Sequence, residues 1–450
     1  MPMVSNKVVE SADSPASKDD YIRVKGLRLV KPYYFDFLCC VKKRWLGMTI
    51  IDVFSEEFAS RPRSYYEEAF EDGRLRIEGG QTPAQADTPL KDNHRMRHFI
   101  HRHEPPVLDR PIEIVAETDK LVAVHKPASI PVHVSGQYRK NTVMALLQVD
   151  RPDLGRLFPV HRLDKPVSGL LLIAKTAAAA NDVRTQIMDQ GKVQKAYIAR
   201  VLGRFLSEAV TVDKHLAWDS RSNHAFVMDS DGALAERQSL GAVPLPSQRQ
   251  QLQAKEAQTS FRLLSVAADG KTSLVECLPK TGRTHQIRVH LSWLGYPIAN
   301  DSQYGGTYKG PDQVRTDAAT VRREASLAAQ ELPNSNKRQK GTGWADTSDN
   351  RAQSDDLCGQ QQANSGVLDA CQSEHTLLHK AQPESACSAE FQVPQDLQDD
   401  MCLNCPNLIP PGYPTDIHPL WLHAQSYSCE QWSFECPKPG WASLNWALPA

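Results

Sequence analysis

The sequence contains no run of about eighteen apolar residues, the length that a helix needs to cross a membrane, so no membrane-spanning segment is expected. Its 10 cysteines are scattered along 450 residues, unlike the dense framework of a small disulfide-bonded secreted domain. Residues 1–20 contain no arginine and mix acids with serines, which does not fit a typical secretory signal or transit peptide. These absences predict a protein of a reducing compartment, the cytoplasm or the nucleus, with an organelle left open.

A phosphate-binding loop is also missing, although one stretch comes close to its spacing. The segment "GLLLIAKT", from Gly169 to Thr176, has the glycine, lysine and threonine of such a loop but carries Ala174 where a second glycine is needed. Its middle is a continuous apolar run of the length expected of a buried strand. The stretch therefore predicts a core strand and not a nucleotide site.

The composition that is present is that of a soluble globular protein, with 40% hydrophobic and 23% charged residues. The length suggests about two or three domains. Residues 307–450 carry 18 acidic and 10 basic side chains, which leaves 42 basic and 35 acidic ones in residues 1–306. The basic front part is compatible with a polyanionic partner, and a solvated basic face is the simpler alternative.

Two amphipathic helices and a strand are predicted near the N-terminus, after a disordered stretch over residues 1–25. One helix lies in "KKRWLGMTIIDVFSEEF"; the other contains Ser64 and Glu67, the spacing of a capping box, and "RLRIEG" follows as a strand. With its basic flanks, the segment 40–82 resembles the small RNA-binding fold of a small-subunit ribosomal protein, which is also attached to several RNA-modifying enzymes. A plain helical hairpin is the alternative.

The main domain is expected over residues 108–306 as an α+β fold. Strands are predicted at Leu121–Val124 and Tyr197–Val201, and a helix from about Thr284 to Leu294, ended by Gly295. The elements alternate without the strict period of a doubly wound sheet. Residues 307–400 are too polar to bury a core and are predicted to be disordered, whereas residues 401–450 regain aromatics and should complete the main domain.

Asp164, in "HRLDK", is the first candidate for chemistry, because it stands between basic residues just before the apolar strand. A carboxylate at such an edge can act as a nucleophile or a general base when an opposite charge keeps it ionised. The alternative is that Asp164 only caps a turn or pairs with Arg162.

Four ordered stretches, "LVAVHKPASIPVH", "HRLDKPVSGLLLIAKT", "KAYIARVLG" and "LPKTGRTHQIRVHLSWLGYPIANDSQYGG", together resemble the RluA family of RNA pseudouridine synthases. The resemblance implies a mixed, mainly antiparallel sheet flanked by helices, and an isomerase that converts uridine to pseudouridine. It also implies that Asp164 is catalytic, that Tyr197 stacks on the uracil and that Arg288 pairs with the aspartate. Arg162 matches the position that displaces the flipped nucleotide.

The resemblance further implies RNA as the partner, with tRNA as the first expectation and rRNA as the second, and no metal, nucleotide or organic cofactor. Lys126, Arg283 and His285 are candidates for phosphate contacts. We expect a monomer. A catalytically silent RNA-binding or RNA-chaperone protein on the same fold is the alternative function. Pro166 and Val167 depart from the family pattern beside the aspartate and leave it in place.

The C-terminal cysteines raise the question of a structural metal. Cys402 and Cys405 have the spacing of a zinc-binding pair, and Cys429 and Cys436 could complete a site. The second pair is spaced more widely than in a zinc ribbon. The sequence therefore favours reduced, partly buried thiols and no metal.

Overall fold

The computed structural model describes residues 9–10, 14–58, 61–79, 84–189, 192–219, 222–228, 253–308, 392–399 and 402–443. Most of the insert predicted over residues 307–400 therefore lies outside the described residues, as does much of the stretch 1–25. The disorder predicted for that stretch is wrong at its end, where Tyr21–Val24 forms a strand. Tyr21 is buried, and its hydroxyl donates a hydrogen bond of 2.8 Å to the carbonyl of Lys140. Local composition could not reveal this long-range anchor.

The helices are α1 (Ile50–Glu57), α2 (Arg63–Glu71), α3 (Val143–Asp150), α4 (Ala177–Met188) and α5 (Gln286–Trp293). The strands are β1 (Val9–Glu10), β2 (Tyr21–Val24), β3 (Leu27–Val30), β4 (Tyr33–Cys40), β5 (Leu75–Glu78), β6 (Arg95–Arg102), β7 (Val107–Leu108), β8 (Glu113–Glu117), β9 (Leu121–Lys126), β10 (Phe158–Pro159), β11 (Ser168–Ala174), β12 (Gln194–Leu202), β13 (Val210–Asp213), β14 (His215–Asp219), β15 (His224–Met228), β16 (Gln258–Val266), β17 (Thr272–Pro279), β18 (Leu422–Ser428) and β19 (Ser433–Glu435).

The largest sheet has the strand order β13-β16-β17-β12-β18-β11-β9-β8, with β10 on β11 and β19 on β18. Its pairs are antiparallel except for β11 with β18. This arrangement confirms the α+β class and the mainly antiparallel sheet. Strand β18, from the C-terminal segment, lies at the centre between strands from the front of the chain, so both segments build one sheet.

Strand β11 confirms the interpretation of "GLLLIAKT" as a core strand. All seven of its residues are buried, and the run from Leu170 to Ala174 has no exposed surface. The main hydrophobic core gathers here, where β9 and β11 pack against residues of α3 and α4. A phosphate cannot reach this backbone.

A second, four-stranded sheet of order β1-β4-β6-β5 carries α1 and α2. It extends beyond the predicted segment 40–82, because β4 and β6 pair along their whole length from outside it. The predicted capping box at Ser64 is wrong: helix α2 begins at Arg63, and its N-cap is Pro62, two residues before the predicted cap. Thr49 caps α1, accepting a hydrogen bond from the amide of Asp52.

Helix α5 lies close to the predicted position, and its N-cap, His285, has left-handed backbone geometry. It packs on the hairpin of β14 and β15 through a small apolar cluster. A three-stranded sheet of order β2-β3-β7 completes the fold. Short 3-10 turns occur at Lys18–Asp20, Lys43–Trp45, Pro152–Leu154, Ser302–Tyr304, Gln395–Leu397 and Gly440–Ala442. Within the described ranges no helix is long and apolar enough to cross a bilayer.

Gly169 allows β11 to approach β18 more closely than any side chain would permit. Its φ is +117°, and a Cβ there would lie 2.3 Å from the carbonyl oxygen of Ala424. Glycine is required both by the backbone conformation and by the contact.

Gly169→Ala should therefore destabilise the fold by about 3 kcal/mol or more, because strain and a backbone clash add. Gly203→Ala is the matched control, since Gly203 has a φ of +75° but open space around its Cβ position. It should cost about 1 to 2 kcal/mol. Calorimetric melting temperatures of both variants test this; an equal fall for the two would contradict the close-approach argument.

Candidate active site

Asp164 lies in the loop between β10 and β11, and backbone hydrogen bonds fix this loop at several points. The amide of Val167 donates to the carbonyl of Asp164 at 3.1 Å, which closes a turn. The amide of Leu420, in the C-terminal segment, donates to the carbonyl of Pro166 at 3.1 Å. The departures from the family pattern at 166 and 167 thus take part in holding the aspartate.

His161 holds the other end of the loop. Its Nε2 accepts a hydrogen bond of 3.1 Å from the amide of Leu172, and its ring meets that of Tyr427 edge-on at 4.9 Å. Burial lowers the pKa of His161 to about 4, so the ring is neutral at physiological pH and can accept this bond. The histidine of "HRLD" therefore positions the loop.

Lys126 does not lie where a phosphate contact requires it. The side chain is completely buried, and its Nζ donates to the carbonyls of Val167, Lys165 and Pro127 at 2.7, 3.2 and 2.9 Å. Burial lowers its pKa to about 7 against the opposing effect of Asp164. The expected phosphate contact is corrected to a positioning role, because all three donors of the amine bind backbone carbonyls, two of them in the loop that carries the aspartate.

Arg288 is the guanidinium beside Asp164, but a second carboxylate binds it more closely. Its Nη1 lies 3.9 Å from Oδ2 of Asp164, whereas its Nε and Nη2 donate to Asp301 at 2.6 and 2.8 Å. Gln303 accepts a further bond of 2.8 Å. The predicted pairing is therefore a long contact, and the short, bidentate pair is with Asp301.

The Arg288–Asp301 pair is buried, with 4% and 3% of the two residues exposed. Burial by itself would lower the pKa of Arg288, but the charge and hydrogen bonds of Asp301 outweigh it and raise the pKa above its usual value. The Asp164 side chain keeps 20% exposure. One fixed positive charge thus faces one accessible carboxylate.

His285 also faces the aspartate instead of an outer phosphate path. Its Nε2 is 3.8 Å from Oδ2 of Asp164, and its Nδ1 shares a 2.8 Å hydrogen bond with the hydroxyl of Tyr304. Burial and, next, the charge of Arg288 lower its pKa well below the ordinary value. The left-handed backbone at His285 places a neutral imidazole against the carboxylate of Asp164. The predicted role of His285 as a phosphate contact is corrected accordingly.

Tyr197 lies on β12, half-buried and in hydrogen-bond contact with the hydroxyl of Tyr427 on β18. Burial raises its pKa to about 12, with the charge of Asp164 among the smaller effects in the same direction, so the phenol is protonated. Arg162 and Arg283 are both exposed, and Arg283 donates to the carbonyl of Glu256 at 2.9 Å. These two arginines are free to approach a polyanion at the surface.

A cavity of about 350 Å³ adjoins the Asp164 loop. Its lining includes Lys165, Arg288 and Asp301, together with Tyr413 and His418 of the C-terminal segment. The cavity is therefore lined by both polar and apolar side chains, its wall includes the C-terminal segment, and its volume suits a nucleoside-sized group.

Comparison with known proteins bears on the family of this chain. A family profile described as RNA pseudouridylate synthase matches residues 120–293. RNA pseudouridine synthase 7 of Oryza sativa subsp. japonica is 39% identical over 438 residues, which cover 97% of this chain and 96% of that protein. The chain belongs to the RluA family of RNA pseudouridine synthases. It is accordingly an isomerase that converts uridine to pseudouridine.

Two further pseudouridine synthases, from Saccharomyces cerevisiae, are similar to this chain. The mitochondrial tRNA pseudouridine(32) synthase is 39% identical over 279 residues, or 62% of this chain and 55% of that protein. The tRNA pseudouridine(31) synthase is 33% identical over 332 residues, or 68% and 80%.

Sequence reasoning missed Asp301, Tyr427 and the positioning role of Lys126. The sequence did contain a signal for Asp301. This acidic residue lies in "ANDSQYGG", at the end of the last of the four stretches, shortly after the predicted helix that contains Arg288. Tyr427 gave no local signal, because its strand enters the site after the long insert.

Asp301→Asn should slow pseudouridine formation at least about tenfold, because the amide leaves the guanidinium of Arg288 buried without its charge partner. Asp119→Asn, at an exposed aspartate that does not line the cavity, is the matched control and should behave like the unmodified chain. Single-turnover rates at saturating RNA, with RNA affinity measured in parallel, provide the test. Full activity of Asp301→Asn would show that the pair does not support the site.

Proposed function

We propose that this synthase isomerises uridines of tRNA and that the carboxylate of Asp164 carries the reaction. The observation that supports this most is the contrast between two carboxylates around one guanidinium. Asp301 is buried and bound to Arg288 in a bidentate pair, whereas Asp164 stands 3.9 Å from the same cation with its side chain partly exposed. The second carboxylate is the more exposed of the two and is not held in a short ion pair, so it is the one available for the reaction.

The reaction requires a carboxylate of this kind. A uridine in folded RNA has to leave its stack before an enzyme can reach its glycosidic bond. Breaking that bond builds positive charge at the anomeric carbon, which a nearby ionised carboxylate can stabilise or attack. Attack on the sugar, attack on the base and removal of a sugar proton are all within the chemistry of Asp164.

The neighbouring side chains suit the remaining tasks. Tyr197 offers a flat ring, held by its contact with Tyr427, on which a uracil can stack. Exposed Arg162 and Arg283 can contact the RNA, Arg162 by filling the place of the flipped nucleotide and Arg283 by binding phosphate.

The preference for tRNA over rRNA rests on the relatives and on charge. Two of the similar yeast proteins are named as tRNA pseudouridine synthases. The front part of this chain, residues 1–306, has a surplus of basic residues suited to a folded polyanion.

Asp164→Asn should abolish pseudouridine formation, by at least about a thousandfold, while RNA affinity stays within a few-fold, because the amide keeps the shape and loses the charge. Asp182→Asn is the matched control, since Asp182 is an exposed aspartate on α4. The measurement is the amount of pseudouridine formed within a tRNA substrate after incubation with each variant. Turnover by Asp164→Asn equal to that of the unmodified chain would rule out the assigned role.

The substrate is tested by mapping pseudouridine at single-nucleotide resolution. Total RNA from cells lacking the modification is incubated with the purified chain or with Asp164→Asn. We expect sites in tRNA that depend on Asp164. Sites confined to rRNA would overturn the tRNA proposal and leave the catalytic one standing, and RNA binding without any site would favour a silent RNA-binding protein.

A further inference from the structure

Four potential metal ligands from distant parts of the chain converge outside the active site. They are His101 and His103, at the end of β6, and Cys402 and Cys405, where the described chain resumes after the insert. The nitrogen and sulfur atoms that could bind a metal all lie within 4.8 Å of one another. Both cysteines are free thiols, and both histidines are buried.

The distances fit the edges of a tetrahedron around a zinc ion. Nε2 of His103 lies 3.4 Å from Sγ of Cys402 and 3.6 Å from Sγ of Cys405, and Nδ1 of His101 lies 3.6 Å from Sγ of Cys405. Zinc bonds to sulfur and nitrogen of ordinary length place such atoms about 3.5 Å apart. Neutral packing would not require four such ligands to point at one centre.

We propose that His101, His103, Cys402 and Cys405 form a structural zinc site. Two thiolates and two imidazoles are the soft and borderline donors that select zinc over magnesium or calcium. Four protein ligands close the tetrahedron and leave no position for water or substrate, so the metal supports the structure and not the reaction.

Contacts around the ligands support the assignment. The amide of Asn404 donates to Sγ of Cys402, and the amide of Asp399 donates to Sγ of Cys405, both at 3.4 Å. Such N–H donors stabilise thiolate charge. Nδ1 of His103 faces the carbonyl of Leu408 at 3.4 Å, which presents the opposite nitrogen, Nε2, to the centre.

The site joins the front sheet to the segment that walls the active-site cavity. Beyond Cys405, the chain packs Leu408 against Leu29 and Val393, then lines the cavity from Tyr413 to Leu420. It reaches the catalytic loop at the bond between Leu420 and Pro166. A zinc ion here would fix the start of this wall and close a loop of about three hundred residues. Closing a long loop lowers the entropy of the unfolded chain more than closing a short one, so the ion would stabilise the folded state.

This proposal replaces the sequence-based expectation of no metal and changes the candidate ligands. Cys429 and Cys436 lie elsewhere: Cys436 is buried in the main core, and Cys429 has its sulfur 3.8 Å from Gln186. The partners of Cys402 and Cys405 are histidines about three hundred positions earlier, so spacing within the tail could not identify them.

The test is the zinc content of the purified full chain, prepared without chelators and measured by plasma mass spectrometry. About one zinc per chain is expected, and cobalt replacing it should show the intense visible absorption of a tetrahedral thiolate site. Cys402→Ser with Cys405→Ser should lose both signals. Cys429→Ser is the matched control and should keep them.

His103→Cys guards against a variant that fails to fold, because it retains four ligands. It should keep about one zinc and strengthen the sulfur-to-cobalt charge-transfer band. The proposal is overturned if the unmodified chain neither contains zinc nor takes up added zinc or cobalt, or if the double serine variant keeps its metal. These readouts do not depend on isomerase activity, so they are separate from the proposed function.

Discussion

The ion pair between the buried guanidinium of Arg288 and Asp301 is the interaction on which the active site depends. Asp301 holds the guanidinium in a bidentate pair with almost no exposure, and Asp164 faces the remaining nitrogen. A buried pair of this kind gives little net stability, but removing one partner costs about 3 to 5 kcal/mol because the other charge is left unpaired. The pair therefore acts as a rigid support that fixes a positive charge beside the second carboxylate.

The rest of the fold brings this support and the catalytic loop together. The amine of Lys126 and the imidazole of His161 hold the loop from the core side, using burial to make hydrogen bonds that water would otherwise weaken. The C-terminal segment holds it from the other side through Leu420, and its strand β18 supplies Tyr427 to Tyr197. The segment after the insert is thus an integral part of the site.

Local patterns in the sequence predicted what depends on neighbours along the chain. The apolar run after Gly169 predicted a buried strand, and the residue pattern before Gly295 predicted helix α5. The four ordered stretches indicated the family and the candidates Asp164, Tyr197 and Arg288. Long-range contacts set the remainder. Lys126, expected at the surface as a phosphate contact, is buried and binds the backbone of the loop that carries Asp164.

The same limit explains the metal ligands and the first strand. His101 and Cys402 are neighbours only after β6 and the returning chain have met, and Tyr21 is ordered by a carbonyl more than a hundred residues away. No local period or spacing records such contacts, because they arise from the strand order of the sheets.

The single-turnover rate of pseudouridine formation by Arg288→Gln and Arg288→Lys, at saturating tRNA, tests the central claim most directly. Gln removes the charge and Lys keeps it without the planar fork that binds Asp301. The account predicts loss of at least about a hundredfold in rate for Gln, an intermediate loss for Lys, and tRNA affinity within a few-fold for both. A rate for Arg288→Gln equal to that of the unmodified chain would contradict it.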